Sequence, residues 1–226
     1  MAEAIRIAIV GAESTGKTTL AAALADRLAQ TTGLRVAWVP ELLRDWCDHL
    51  GRTPQAHEQG AILRAQHERI EAAAATHGVV VCDTTALMTA VYSRYVFNDR
   101  SLEERAAALH RRMALTLLTA MDLPWVADGL QRDGPQAQLA VDTLLRELLM
   151  QHRLPWSLVA GWGEDRVQAA LDAVAPLLRA SGAPRSGLFT RLEQRNAEPS
   201  ARAWRCDNCD DAACEHRLLK SGHIGG

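Results

Sequence analysis

A chain of 226 residues, 48% of them apolar, can bury the core of one α/β domain and carry a small appendage. A net charge of −2 gives no bulk attraction for nucleic acid or an anionic membrane, and no run of 18 apolar residues exists to span a bilayer. The opening Met1-Ala2-Glu3-Ala4-Ile5-Arg6 carries no signal-peptide pattern and runs directly into a strand, so a cytoplasmic protein is expected.

In chain order, residues 6–10 are a short apolar run of buried-strand type, ended by Gly11. An Ala/Leu-rich helix follows over 17–30 and stops at Gly33. Residues 35–39 predict a second strand, closed by Pro40, and helical periodicity returns over 41–50 and 55–76. Gly78-Val79-Val80-Val81-Cys82 is the third strand; Asp83-Thr84-Thr85 ends it, and 86–96 reads as helix. Ser101-Leu102-Glu103-Glu104 has capping-box spacing and opens a further helix. Residues 115–118 and 154–159 supply strands four and five, with helices over 135–152 and 164–179. Strands alternating with helices imply a parallel sheet covered on both faces, whose ligands bind at the carboxyl ends of the strands. Gly11, Glu41, Asp83 and the segment after Leu118 all follow strands, so they are expected to converge on one crevice. Beyond Arg179 the character changes. The expected organisation is a domain over 1–180, a linker over 181–200 and a cysteine-rich appendage over 201–226.

Gly11-Ala12-Glu13-Ser14-Thr15-Gly16-Lys17-Thr18 satisfies G-x-x-x-x-G-K-[ST] at every position, with a strand before it and a helix after it. The glycines let the backbone curl so that N–H groups and the helix N-terminus converge on an anion. Lys17 is placed for the β- and γ-phosphates of a nucleoside triphosphate and Thr18 for Mg²⁺. Glu13, Ser14, Thr15, Gly16 and Thr19 complete the expected nucleotide-binding set. The chain has two lysines, Lys17 and Lys220, against 23 arginines, and one of the two occupies the position this loop demands. The fold class is therefore an α/β P-loop NTPase sandwich of three layers, with a central parallel sheet of about five strands. The motif does not separate ATP from GTP.

Two strand ends add carboxylates. Asp83 can hold Mg²⁺ directly or through water, or it can cap the next helix. Glu41 can accept a proton from a substrate hydroxyl, with Arg44 one turn later on the same face; it can equally complement the helix dipole. After strand four, the polar segment 122–134 contains Arg132, which can close over a transferring phosphoryl group or lie solvated on a surface loop.

These segments together resemble the ribosylnicotinamide kinase domain of the NAD-biosynthesis regulator family, a branch of P-loop kinases. The resemblance spans 5–178. It rests on the P-loop, on Glu41-Leu42-Leu43-Arg44-Asp45, and on Asp83-Thr84 with Thr89 and Tyr92. Trp125-Val126-Ala127-Asp128-Gly129-Leu130-Gln131-Arg132 and Gly163-Glu164-Asp165-Arg166 complete it. The Glu inside the P-loop and the Trp-Val-x-Asp-Gly-Leu string are its more specific parts. The resemblance implies transfer of the γ-phosphoryl group of ATP, with Mg²⁺, to the 5′-hydroxyl of nicotinamide riboside. It implies that Glu41 and Asp83 are the substrate and Mg²⁺ carboxylates and Arg132 the lid arginine. Asp128 would brace the lid or contact substrate. Arg166 would join the nucleotide set, and Arg44, Thr84 and Tyr92 the substrate set. One departure stands out: the family commonly has Gly-Leu-Arg where this chain has Gly129-Leu130-Gln131-Arg132. No His-x-Gly-His nucleotidyltransferase motif and no preceding DNA-binding module are read, so adenylyl transfer and repression are not implied.

The resemblance does not reach the appendage. Cys206-x-x-Cys209-x4-Cys214-x-His216 offers three thiolates and an imidazole, enough for one tetrahedral zinc, with His223 as a spare; the alternative is a free-thiol tail. Two classes of function follow. One is a kinase for nicotinamide riboside or for a different nucleoside or nucleotide. The other is an ATP-binding regulatory switch acting through its tail. The expected partner is a small-molecule nucleoside, with no nucleic acid and no membrane, and an oligomer is left open.

Overall fold

The computed structural model describes residues 3–125 and 135–180. The expectations for Asp128, Arg132, Cys206, Cys209, Cys214 and His216 lie outside the described residues. Five strands form: β1 (Ile5–Val10), β2 (Val36–Val39), β3 (Val79–Asp83), β4 (Leu115–Thr119) and β5 (Ser157–Val159). They make one sheet in the order β2-β3-β1-β4-β5, and every pairing is parallel. The most apolar segments became the central strands, because a strand with helices on both faces has no side that can be polar. All five residues of β3 are buried, as are Ile7 to Val10 of β1. The edges are less covered: Trp38 on β2 and Leu158 on β5 are exposed.

Seven α-helices are described: α1 (Lys17–Thr32), α2 (Leu42–Leu50), α3 (Gln59–Ala74), α4 (Ala86–Phe97), α5 (Glu103–His110), α6 (Pro135–Gln151) and α7 (Gly163–Ala180). Helix α1 packs against β2, β3 and α7. Helix α3 also packs against β2 and β3 but with α4 as its neighbour, and α4 in turn packs on α5 and α6. The result is a three-layer α/β sandwich. None of the described helices is long and apolar enough to cross a membrane.

Three local outcomes differ from the sequence pattern. The expected helix over 55–76 is split into a 3-10 turn (Ala56–Glu58) and α3, where the Glu58 carboxylate turns back to accept from the Gln55 N–H at 2.7 Å. The expected capping box at Ser101 does not form. Asp99 accepts from the Ser101 N–H (2.9 Å) and hydroxyl (3.0 Å), which commits that hydroxyl, and α5 begins two residues later. Strand β5 begins at Ser157 rather than 154, since Pro155 has no N–H for a ladder and the Leu154 N–H closes α6 on Leu149 O at 2.8 Å.

The pairing register sets the site. Ile9 lies opposite Asp83 on one side, and Val10 opposite Leu118 on the other. Gly11 therefore leaves the sheet between Thr84 and Thr119, at the point where the chain passes from one half of the sheet to the other.

Candidate active site

The loop from Gly11 to Gly16 folds as its residues require. Gly11 has φ 155, and a Cβ there would collide with the Thr119 hydroxyl. Gly16, the residue before α1, has φ 73, and a Cβ would come within 3.0 Å of Leu123. Only glycine suits both positions. The Thr15 hydroxyl accounts for much of the loop's internal order. Its single proton is within reach of both Ala12 O (2.8 Å) and the Thr119 hydroxyl oxygen (2.7 Å), and the Thr119 hydroxyl donates to Val10 O at 3.2 Å. Lys17 reaches back across the loop to donate to Ala12 O at 2.8 Å.

Asp83 closes β3 and is 1% exposed. Burial pushes its carboxyl above the usual carboxylate range. A hydrogen bond with Thr18 and the nearby charges of Lys17 and Arg44 pull it back down. Four expected site residues, Lys17, Thr18, Arg44 and Asp83, are thus brought to one place. Asp83 Oδ1 has no hydrogen-bond partner among the described residues. The helix cap expected as the alternative role of Asp83 comes from Thr85 instead, whose hydroxyl accepts from the Leu87 N–H at 3.2 Å. Thr84 sits beside Asp83 with φ 66 and donates its N–H to Ile9 O at 3.0 Å, locking the end of β3 to β1.

Glu41 is the residue immediately before α2, half-buried, and its side chain does not cap that helix. The first N–H of α2 is taken by Gln66 of α3, whose Oε1 accepts from Leu42 at 2.7 Å. Arg44 is exposed one turn on. Tyr92 lies two turns into α4, half-buried against the core, and Thr89 is buried. Glu13 is 8% exposed with Oε2 unpartnered among the described residues, Ser14 is half-buried with φ 55, and Thr19 is exposed.

Arg166 is 4% exposed, and its guanidinium is a junction. It donates to Asp122 Oδ1 (2.6 Å), Gly161 O (2.8 Å), Thr15 O (2.9 Å) and Ala120 O (3.0 Å). Asp122 also accepts from the Gly161 N–H at 2.6 Å. Partial burial would raise the Asp122 carboxyl, but its bonds to Arg166 and Gly161 prevail and hold it below the usual range. Sequence reasoning missed Thr119, Asp122, Gln138 and Gln66. None belongs to a short motif. Thr119 alone could have been found, by extending strand four one residue and aligning it with the end of strand one.

Among the described residues, no group of three or more His, Cys, Asp or Glu side chains could hold a metal. A divalent cation on phosphates asks less of the protein. A buried carboxylate with an unpartnered oxygen beside a threonine hydroxyl is a fitting donor pair for one.

A family model described as an AAA domain matches residues 6–166. No curated protein sequence matches the chain significantly. Similar solved structures include NadR protein in complex with NR, 20% identical over 76% of this chain and 50% of that one, with a TM-score of 0.60. A thymidylate kinase from Ehrlichia chaffeensis is 16% identical over 78% of this chain and 100% of that one, with a TM-score of 0.56. A deoxyadenosine kinase from M. mycoides with dcmp and dcdp bound is 14% identical over 76% and 100%, with a TM-score of 0.51. The chain spans half the length of the NadR chains it matches. At these identities the likenesses establish the fold, which is that of P-loop kinases.

Proposed function

The chain belongs to the AAA-domain family, and on that premise we propose that it is a MgATP-dependent kinase phosphorylating the 5′-hydroxyl of a nucleoside, nicotinamide riboside before others. The observation that carries the reading is the junction of β1 and β3, where Lys17, Thr18 and a buried Asp83 meet at a glycine-walled loop. Phosphoryl transfer asks the protein mainly for position and charge. Lys17 leaves Ala12 O for the β- and γ-phosphate oxygens. Thr18 and Asp83 would hold Mg²⁺, whose charge would offset that of those oxygens. Glu41, at the end of β2, takes the proton of the attacking hydroxyl, and Arg44 holds the acceptor side of the transferring group. Thr84 and Tyr92 are assigned to the acceptor side.

The choice of acceptor is supported by the segment resemblance across 5–178 and by the likeness to a NadR chain whose described ligand is NR. Two nucleoside or nucleotide kinases among the similar structures support the broader class. The test is a panel of nucleosides and nucleotides incubated with MgATP, read by ADP release and by mass of the product. Nicotinamide riboside is expected to gain one phosphate at the 5′ position with the highest kcat/KM. Strong preference for another acceptor would remove the substrate assignment and leave the kinase. ADP release independent of every acceptor would favour the regulatory-switch reading.

A further inference from the structure

The carbonyls of the phosphate-binding loop and of the strand residue just before it are gripped from outside by three different elements. Val10 O accepts from Thr119 of β4 at 3.2 Å, Glu13 O from Gln138 Nε2 of α6 at 2.7 Å, and Thr15 O from Arg166 Nη2 of α7 at 2.9 Å. All three donors are buried, so a lost bond would leave a carbonyl without ready access to water.

In a planar trans peptide the C=O and the following N–H point in opposite directions. Holding the Glu13 carbonyl on Gln138 turns the Ser14 N–H the other way. Holding the Thr15 carbonyl on Arg166 does the same for the Gly16 N–H. Ser14 (φ 55) and Gly16 (φ 73) are both left-handed and flank Thr15. Left-handed residues spaced in this way make neighbouring N–H groups converge on an anion. For Ser14 the conformation is strained, and it persists only where the surroundings enforce it. The two outside bonds bracket that residue.

We propose that Gln138 and Arg166 are positioning residues that preset the phosphate cradle, turning the Ser14 and Gly16 N–H groups toward the anion before it arrives. The ligand class is a polyphosphate chain, whatever nucleoside carries it. The proposal rests on the phosphate-site reading above but not on the choice of acceptor. The two residues differ in how much else they hold. Arg166 also braces Asp122, Ala120 and Gly161, whereas the side-chain amide of Gln138 serves Glu13 O. Gln138 is therefore the cleaner probe.

The experiment titrates magnesium tripolyphosphate and MgATP calorimetrically into wild type, Gln138→Met, Arg166→Lys and Arg166→Met. Ligand-free melting curves and acceptor KM values are recorded beside the titrations. Methionine keeps the length and helix compatibility of glutamine but cannot donate. Loss of one buried hydrogen bond of this kind predicts that Gln138→Met weakens tripolyphosphate and MgATP by the same factor, about five- to tenfold. Its acceptor KM should stay near wild type, and its ligand-free melting temperature should fall only by the few degrees that one unsatisfied buried carbonyl costs. Arg166→Lys, which keeps one donor and the charge, should recover part of what Arg166→Met loses. Wild-type affinity for tripolyphosphate in both Gln138→Met and Arg166→Met would overturn the proposal. So would a Gln138→Met protein that melts far lower yet, while folded, binds with wild-type affinity, since the role would then be structural. A wild-type protein that binds neither ligand would remove the phosphate site and this proposal together. Tripolyphosphate behaving as expected with no nucleoside phosphorylated would remove the kinase reading and leave this one standing.

Discussion

Asp83 carries a cost of burial that Thr18, Lys17 and Arg44 offset in part and that a bound cation would offset further. Its carboxylate is 1% exposed with one oxygen unpartnered among the described residues, and burial raises its affinity for a proton. A carboxyl with a raised folded-state pKa contributes stability below its unfolded pKa and loses it as pH rises through the folded value. At pH 7 the group is therefore a net burden on the ligand-free protein. Asp83→Asn is expected to melt at or above the wild-type temperature by circular dichroism while losing most phosphoryl transfer and its Mg²⁺ dependence. An unchanged Mg²⁺ titration would remove Asp83 from the metal site. Lys17→Ala should cut kcat/KM by roughly a hundred- to thousandfold in a steady-state assay, the range seen when one charged group at a transition state is removed. Its far-UV spectrum should match wild type. Lys17, Thr18 and Asp83 were legible in the sequence because each stands at a fixed offset from a strand end. Gln138 was not, since what makes it matter is a contact across 125 residues of chain that no local pattern encodes, and Thr119 needed strand four extended by one residue and set beside strand one. Arg166 was visible as part of a segment match, but its junction with Thr15, Ala120, Asp122 and Gly161 was not.

The first turn of α4 is secured by a buried relay. Thr85 caps the helix and shares a 2.9 Å bond with His110 Nδ1, whose Nε2 shares a 2.8 Å bond with the Thr116 hydroxyl on β4. Burial lowers the His110 pKa to about 4. Against an unfolded value near 6.5, folding excludes a proton throughout that interval. Stability is then full above about pH 6.5 and falls as pH drops toward 4, by about 3 kcal/mol in all. His67, also lowered by burial, acts in the same direction. Urea titrations from pH 7 to 4.5 should show this loss, and His110→Gln should flatten the larger part of it. Thr85→Ala should cost about 1 kcal/mol, the usual value of an N-cap hydroxyl. Most elements were readable because doubly covered strands such as β3 are apolar up to their last residue and the helices between them are long. Their ends were less so. Ser101 has the residues of a cap, yet Asp99, two positions earlier, takes its hydroxyl, and propensity cannot rank two local hydrogen bonds.

For the molecule as a whole, a ligand bound only by the folded state stabilises it by mass action. MgATP at one hundred times its dissociation constant should add about 2.7 kcal/mol to unfolding. That corresponds to a melting shift of roughly 5–10 °C for a domain of this size. Differential scanning calorimetry should show the shift in wild type and lose it in Lys17→Ala, and a parallel series with MgGTP would decide the base. The grip on the phosphate loop has a further, kinetic consequence. The partners of its carbonyls lie 125 and 151 residues away along the chain, and that of the strand residue before it 109. Such long closures form late, because their entropy cost is met only after shorter ones have condensed. Binding competence should therefore be the final property acquired on refolding. In stopped-flow experiments, helical ellipticity is expected to recover before the protein can capture a fluorescent ATP analogue, and the lag between the two signals should lengthen in Arg166→Lys.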